Sequence, residues 1–244
     1  MFGISGAGYD MSTSIFSPEG RIFAAEYAKK AVEQGATSIG ILVDEGVVLV
    51  AEKRIEPLHE PDTIEKISKI DEHIGVATSG LMADARMLVQ EARIKAQSYW
   101  LTYEEPIPAE ALADHICDVK AQFTQGGGAR PFGVSMIIGS VDLDGTPHLY
   151  VTDPTGTLLG FLATVIGRGS TQAGEVLEKE YKRTISLSQA TNLAIDALRK
   201  ASDVKMTADN MEIAQISVKD RKFHKLTRPD IEEILSPTKP KKQS

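Results

Sequence analysis

From residue 37 onward apolar side chains run almost without a break through "TSIGILV" and "GVVLVAE", parted only by Asp44-Glu45-Gly46. Such a β-branched, nearly continuous pattern predicts a hairpin buried on both faces, because a half-exposed strand would alternate. "HIGVATSG" predicts a third strand. The period then changes: Ala85, Leu88, Val89, Ala92, Ala96 and Tyr99 lie on one helical stripe. Leu112, Ile116, Val119 and Phe123 form a second stripe, after a break at Pro106 and Pro108. A glycine-rich loop, "GGGARPFG", leads into three more predicted strands, "VSMIIGSVD", "PHLYVTD" and "GFLATVIG". Helical patterns return at 171–182 and at 188–201, the second expected to be capped by Ser188. "EIAQISV" and "KFHKL" read as a last strand pair before a short helix near 230–235.

Ahead of all this, Ser17-Pro18 followed by Glu19 reads as a helix start, with proline in the first turn and an acid near the positive end. Ile22, Phe23, Tyr27 and Ala31 follow near helical spacing, and Gly35 is the expected stop. Strands, two helices, strands, two helices and strands make segregated runs. That order predicts an α+β fold, one domain with two packed sheets and helix pairs outside.

Charge and composition narrow the function classes. A net charge of −7 argues against nonspecific attraction to nucleic acid or to an anionic membrane. The one basic cluster is Lys239, Lys241 and Lys242, in a tail expected to be solvated. Cys117 is the single cysteine, which excludes an intrachain disulfide framework and fits a reducing compartment. No apolar run approaches the roughly 18 residues of a membrane helix, and "MFGISGAGYD" has no secretory pattern. The expectation is a soluble cytoplasmic protein.

Local motifs yield no chemistry. "IGRGSTQAG" follows a predicted strand and opens a helix, as a dinucleotide loop would, but Gln172 replaces the third glycine and no acid stands about 20 residues on. "GGGAR" lacks the ending of a phosphate loop. "DLDGT" begins like a calcium loop, yet Asp153 stands at the twelfth position, and Asp144-Gly145 is better read as a hairpin turn. His59, His73, His115, His148 and His224 are scattered, and His115 and Cys117 point apart on one helix, so no metal is expected. Cys117 reads as a packed side chain. "GVSMI" fails as a nucleophile elbow at Ile137.

The segment before the first strand carries the recognisable pattern. Tyr9-Asp10, "FSPEGRIF" (16–23), Glu26-Tyr27-Ala28 and Gly35 resemble the N-terminal signature of archaeal-type proteasome core-particle α subunits. The likeness continues through "IEKISKID", "TSGLMADAR", "RPFGVS", "DPTG" and "VIGRG", covering nearly the whole chain in order. It implies a four-layer αββα sandwich, the fold shared by amino-terminal-nucleophile hydrolases. The implied organisation is a gate segment and helix over 1–35, the sandwich over 36–235 and a disordered basic tail over 236–244.

The proteolytic β subunits share this fold and expose a threonine after cleavage behind a glycine, its hydroxyl attacking and its freed amine acting as base. Here Gly35 is present, but Ala36 stands at the nucleophile position, and Thr37 and Ser38 lie too deep to carry both groups. Lys66 matches the β-type active-site lysine without a nucleophile beside it. A non-catalytic chain is therefore expected, with no cofactor; a catalytic hydrolase is the alternative that Ala36 disfavours, and a nucleotide binder through "IGRGS" is a further one.

The resemblance further implies a homo-heptameric ring that admits unfolded protein, templates the β ring and accepts C-terminal tails of a regulatory AAA ATPase. Tyr9, Asp10, Pro18 and Tyr27 match the cluster that holds the open gate. Lys66, Gly35, Leu81 and Glu26 match the activator-docking pocket, the lysine pairing with a tail carboxylate. Gly126, Gly127, Gly128 and Ala129 match the constriction below the gate. Three positions depart from the pattern: Ala24 for glutamine, Met11 for arginine, and Gly126 for tyrosine, the last predicting a wider or softer constriction.

Overall fold

The computed structural model describes residues 16–125 and 129–236. Helix α1 (Phe23–Gln34) precedes the hairpin of β1 (Ser38–Val43) and β2 (Gly46–Glu52), then β3 (Ile67–Asp71) and β4 (Ile74–Gly80). Helices α2 (Met82–Tyr103) and α3 (Ala109–Gln125) lead to β5 (Val134–Val141), β6 (Pro147–Thr152), β7 (Leu158–Gly160) and β8 (Ala163–Ile166). The chain closes with α4 (Ser170–Glu180), α5 (Leu187–Ala201), β9 (Met211–Ser217), β10 (Phe223–Lys225) and α6 (Arg228–Leu235).

Two antiparallel five-stranded sheets result, ordered β10-β9-β2-β1-β8 and β3-β4-β5-β6-β7. Their facing surfaces enclose Leu42, Val47, Leu49, Ile67, Ile137 and Leu149. The other face of the first sheet, with Ile39, Ile41, Val48 and Val50, is covered by α4 and α5. The second sheet is covered by α2 and α3 through Leu88, Ala92, Leu112 and Ile116. Each residue of β1 and β2 is buried, since one set of side chains meets helices and the alternate set meets the opposite sheet. The four-layer α+β sandwich expected from the sequence is the architecture observed, and the sheets approach closely where a Cβ on Gly40 would fall 2.7 Å from Ile137 Cγ2.

Three local expectations are corrected, and one strand escapes the sequence reading. Ser17-Pro18 does not start α1: residues 17–20 form a turn in which the Gly20 N–H donates to Ser17 O at 2.8 Å and the Arg21 N–H to Ser17 Oγ at 3.1 Å. Gly20, at φ +76°, ends that turn, and the helix begins only at Phe23. Strand β3 had no strand signal in the sequence, because Ser68, Lys69 and Asp71 interrupt its apolar pattern and a register shift between Lys69 and Asp71 breaks the period of two. The single strand expected over 160–167 changes sheets instead: β7 pairs with β6 and β8 with β1, the corner lying at Phe161 and Leu162. Finally, Ser186 caps α5 in place of Ser188. Its Oγ accepts from Gln189 N at 3.2 Å while Gln189 Oε1 accepts from Ser186 N at 2.9 Å.

Candidate functional site

Four element ends converge beside α1. The helix stops at Gly35, whose N–H donates to Val32 O at 2.9 Å, and the chain turns into β1. A Cβ on Gly35 would lie 2.4 Å from both Gly80 N and Ser79 Oγ, so the end of β4 is pressed against this junction. Ser79 Oγ bridges the two, 3.2 Å from Val32 O and 3.0 Å from Ala36 O. Gly80, at φ +118°, then turns the chain into Leu81 and α2, and the Leu81 N–H donates to Gly133 O at 2.9 Å.

Lys66 enters from the start of β3. Its N–H and that of Ile67 donate to Glu212 Oε2 at 2.9 and 2.7 Å, which fixes the backbone. The side chain is only 5% exposed, so it is not the solvated charge that composition favours. Its ammonium makes no hydrogen bond or ion pair with any described residue. Burial pushes it down to about 8, against the pull of Glu212 and with a further push from the Arg54 guanidinium. A cavity of about 280 Å³ opens there, lined by Gly35, Arg54, Lys66, Leu81 and Gln34. Lys66, Gly80 and Met82 also line a neighbouring cavity of about 430 Å³ under α2.

Three of the four docking residues expected from the sequence thus share one cavity. Glu26 does not: it lies two turns back along α1 and binds Arg21, whose Nε donates to its Oε1 at 2.6 Å. Arg54 and Glu212 were not foreseen. Glu212 looks like any solvent-facing acid of a strand, and its contact with Lys66 spans 146 residues of sequence.

Of the gate residues expected from the resemblance, Tyr9 and Asp10 lie outside the described residues, as do Met11 and the basic tail beyond Ser236. Pro18 sits in the turn before α1. Tyr27 is half-exposed and not a core residue, with its ring 6.5 Å from that of Phe23 and Lys30 Nζ 5.9 Å from its centroid. Gly126, Gly127 and Gly128 of the expected constriction also lie outside the described residues; Ala129 is half-buried. The flanks of that loop are firmly held. Asp84 receives two hydrogen bonds from Arg130, at 2.7 and 2.8 Å, and one from Gly133 N at 2.8 Å. The Arg130 hydrogen bond holds the Asp84 carboxyl below the usual carboxylate range. Across the loop, the fully buried Lys120 donates to Val134 O, Thr152 O and Thr152 Oγ1 at 3.0, 3.2 and 2.6 Å.

The alternatives find no support in the geometry. Ala36 is buried at the nucleophile position, and the neighbouring Thr37 hydroxyl accepts from Gly169 N at 3.0 Å with 1% of the residue exposed. A Cβ on Gly169 would fall 2.6 Å from Ala201 Cβ and 2.7 Å from Thr37 Oγ1, so this glycine of "IGRGS" is packed between Thr37 and the end of α5, with its N–H already engaged by Thr37. Burial pushes the Cys117 thiol up to about 11, away from nucleophilic use. His115 is paired with Glu91 at 2.9 Å.

Comparison with known proteins decides the family. Residues 32–216 match the family described as "Proteasome subunit", and residues 9–31 match the N-terminal signature of A-type proteasome subunits. The chain belongs to the proteasome subunit family, in its α class. Relatives named as the proteasome's alpha subunit include that of Methanothermobacter thermautotrophicus, 48% identical over 95% of each chain. That of Archaeoglobus fulgidus is 49% identical over 92% of this chain and 91% of its own. That of Pyrococcus horikoshii is 48% identical over 94% and 88%. As a proteasome α subunit it is a non-catalytic part of the proteasome core, which it builds together with other subunits. The αββα sandwich is the fold of that family, and Ala36 stands where the resemblance puts the nucleophile of the proteolytic class.

Proposed function

We propose that this chain forms the homo-heptameric outer ring of the core, controls admission of unfolded protein through the segment before α1, and receives the C-terminal tails of a regulatory AAA ATPase. The observation that carries the docking part is Lys66. A lysine with 5% exposure and no partner among the described residues faces a cavity whose lining holds no carboxylate. An accessible ammonium on a largely buried, unpaired lysine is a ready receptor for an incoming carboxylate, because a charge-assisted hydrogen bond offsets part of what burial costs it.

The cavity is also tied to α1. Gly35 forms its wall and Ser79 bridges to Val32 O, so a tail seated against Gly35 and Leu81 bears on the helix that carries the N-terminal segment. Tyr9, Asp10, Pro18 and Tyr27 hold that segment open, and Gly126, Gly127, Gly128 and Ala129 form the constriction beneath it. Glu26, about 13 Å along α1 from Gly35 at 1.5 Å per residue, joins the docking site from the neighbouring copy in the ring. For the β ring, α2 offers Met87, Ile94 and Leu101, exposed at seven-residue spacing on one face. Cytoplasmic placement follows from the same reading; among the described residues, no helix is long and apolar enough to cross a membrane.

The test is a core particle reconstituted with the β subunit, then assayed on a small fluorogenic peptide. A free C-terminal peptide of the ATPase raises hydrolysis in the wild type and not in Lys66→Met. Equal stimulation of both would refute the docking role.

A further inference from the structure

The docking cavity holds a second cation. Arg54 lines it together with Lys66, and its guanidinium, exposed at the mouth, makes no hydrogen bond or ion pair with any described residue. Its neighbours are otherwise engaged. Lys53 Nζ turns away to Pro61 O at 3.1 Å and lies 3.9 Å from Glu212. Glu52 accepts from Ser202 Oγ at 2.8 Å and from Thr37 N at 3.4 Å. No Asp or Glu stands in the lining itself among the described residues. The start of α2 adds to the positive field: Leu81 at its N-cap receives no side-chain cap, and Leu81 and Met82 both face the cavity. Two cations without a hydrogen bond or ion pair among the described residues, and a helix N-terminus, around a lining whose nearest acids, Glu52, Glu65 and Asp209, belong to adjoining cavities are more than one carboxylate needs.

We propose that this cavity is a two-charge anion site, which selects peptide tails whose last residue is itself acidic. Lys66 takes the terminal α-carboxylate and Arg54 takes the side-chain carboxylate of the same residue, a planar fork suited to a bidentate grip. The proposal rests on the docking role argued above. Burial is the main cause of the lowered Lys66 ammonium, and the Arg54 guanidinium adds a smaller push that fits its place on the same lining. Glu26, which the proposed ring would bring to the site from the neighbouring copy, is itself paired with Arg21 in this chain.

The test uses cores reconstituted from the full chain and its β subunit, and three labelled peptides of one sequence ending in Glu, Gln or Arg. Fluorescence anisotropy gives each Kd. The Glu-ended peptide binds about threefold tighter than the Gln-ended one, a size set by an exposed ion pair, and the Arg-ended one binds weakest. Arg54→Gln makes Glu and Gln equal, and added salt narrows the wild-type preference. Equal wild-type affinities for Glu and Gln, or a preference that survives Arg54→Gln, would overturn the proposal while leaving docking intact. Lys66→Met separates the two claims: if it leaves all three peptides bound as before, docking itself fails and this inference falls with it.

Discussion

Replacing Gly35 with alanine probes the junction on which both the fold and the proposed docking cavity depend. The backbone there is ordinary, at φ −66°, so alanine meets no conformational strain and only space is at issue. The added methyl would lie 2.4 Å from Gly80 N and 2.4 Å from Ser79 Oγ, with Val32 O at 3.0 Å. Ser79 can rotate away, but only by giving up its contacts with Val32 O and Ala36 O, worth about 1 kcal/mol for a buried hydroxyl. Gly80 N is backbone and cannot yield without moving β4. Overpacking of a filled site costs about 1–3 kcal/mol, so Gly35→Ala should destabilise the chain by about 3 kcal/mol in all. For a chain of this size the thermal midpoint falls by roughly 2–4 °C per kcal/mol. The assay is thermal unfolding at matched protein concentration, since assembly shifts the midpoint. Adding Ser79→Ala to Gly35→Ala should recover a minor part, because the Gly80 contact remains. A Gly35→Ala midpoint within about 1 °C of wild type would refute this account of the junction.

Asp84→Asn should cost about 2 kcal/mol at neutral pH, limited by the exposure of its partner Arg130. Because the folded carboxyl sits below its ordinary 3.8, that contribution is complete above 3.8 and is lost as pH falls through the lower folded value. Denaturant titrations of wild type and variant should therefore converge in acid. Burial pushes Lys120 down to about 7, so between pH 7 and its ordinary 10.5 the unfolded chain binds a proton that the folded chain lacks. Stability accordingly rises with pH across that window, and Lys120→Met flattens the rise; a wild-type profile that falls from pH 7 to 9 would contradict it. Tail-peptide affinity should drop as pH rises through about 8, where free Lys66 loses its proton, and this pH step should be absent from Lys66→Met.

The sequence displayed the parts of the fold that repeat one period cleanly. The β1–β2 hairpin, buried on both faces, and the stripes of α2 and α3 fall where hydrophobic spacing puts them. What escaped was set by backbone geometry. A positive φ at Gly20 delays α1, a bulge hides β3, and the sheet change at Phe161-Leu162 has no periodic trace. At the candidate site, pattern and composition offered nothing for Lys66. Only the family resemblance pointed to it, and the fold then placed it in one cavity with Gly35 and Leu81. Arg54 and Glu212 stayed invisible because their importance lies in what surrounds them: an acid-free lining for one, and two backbone N–H groups far away in sequence for the other.

The most direct test of the central claim is the native mass of the purified chain, taken with electron-microscope images of the same sample and again after adding the β subunit. The account predicts seven-membered rings or stacked pairs of them, with no peptide hydrolysis until the β subunit joins. A chain that stays monomeric with and without the β subunit would contradict it.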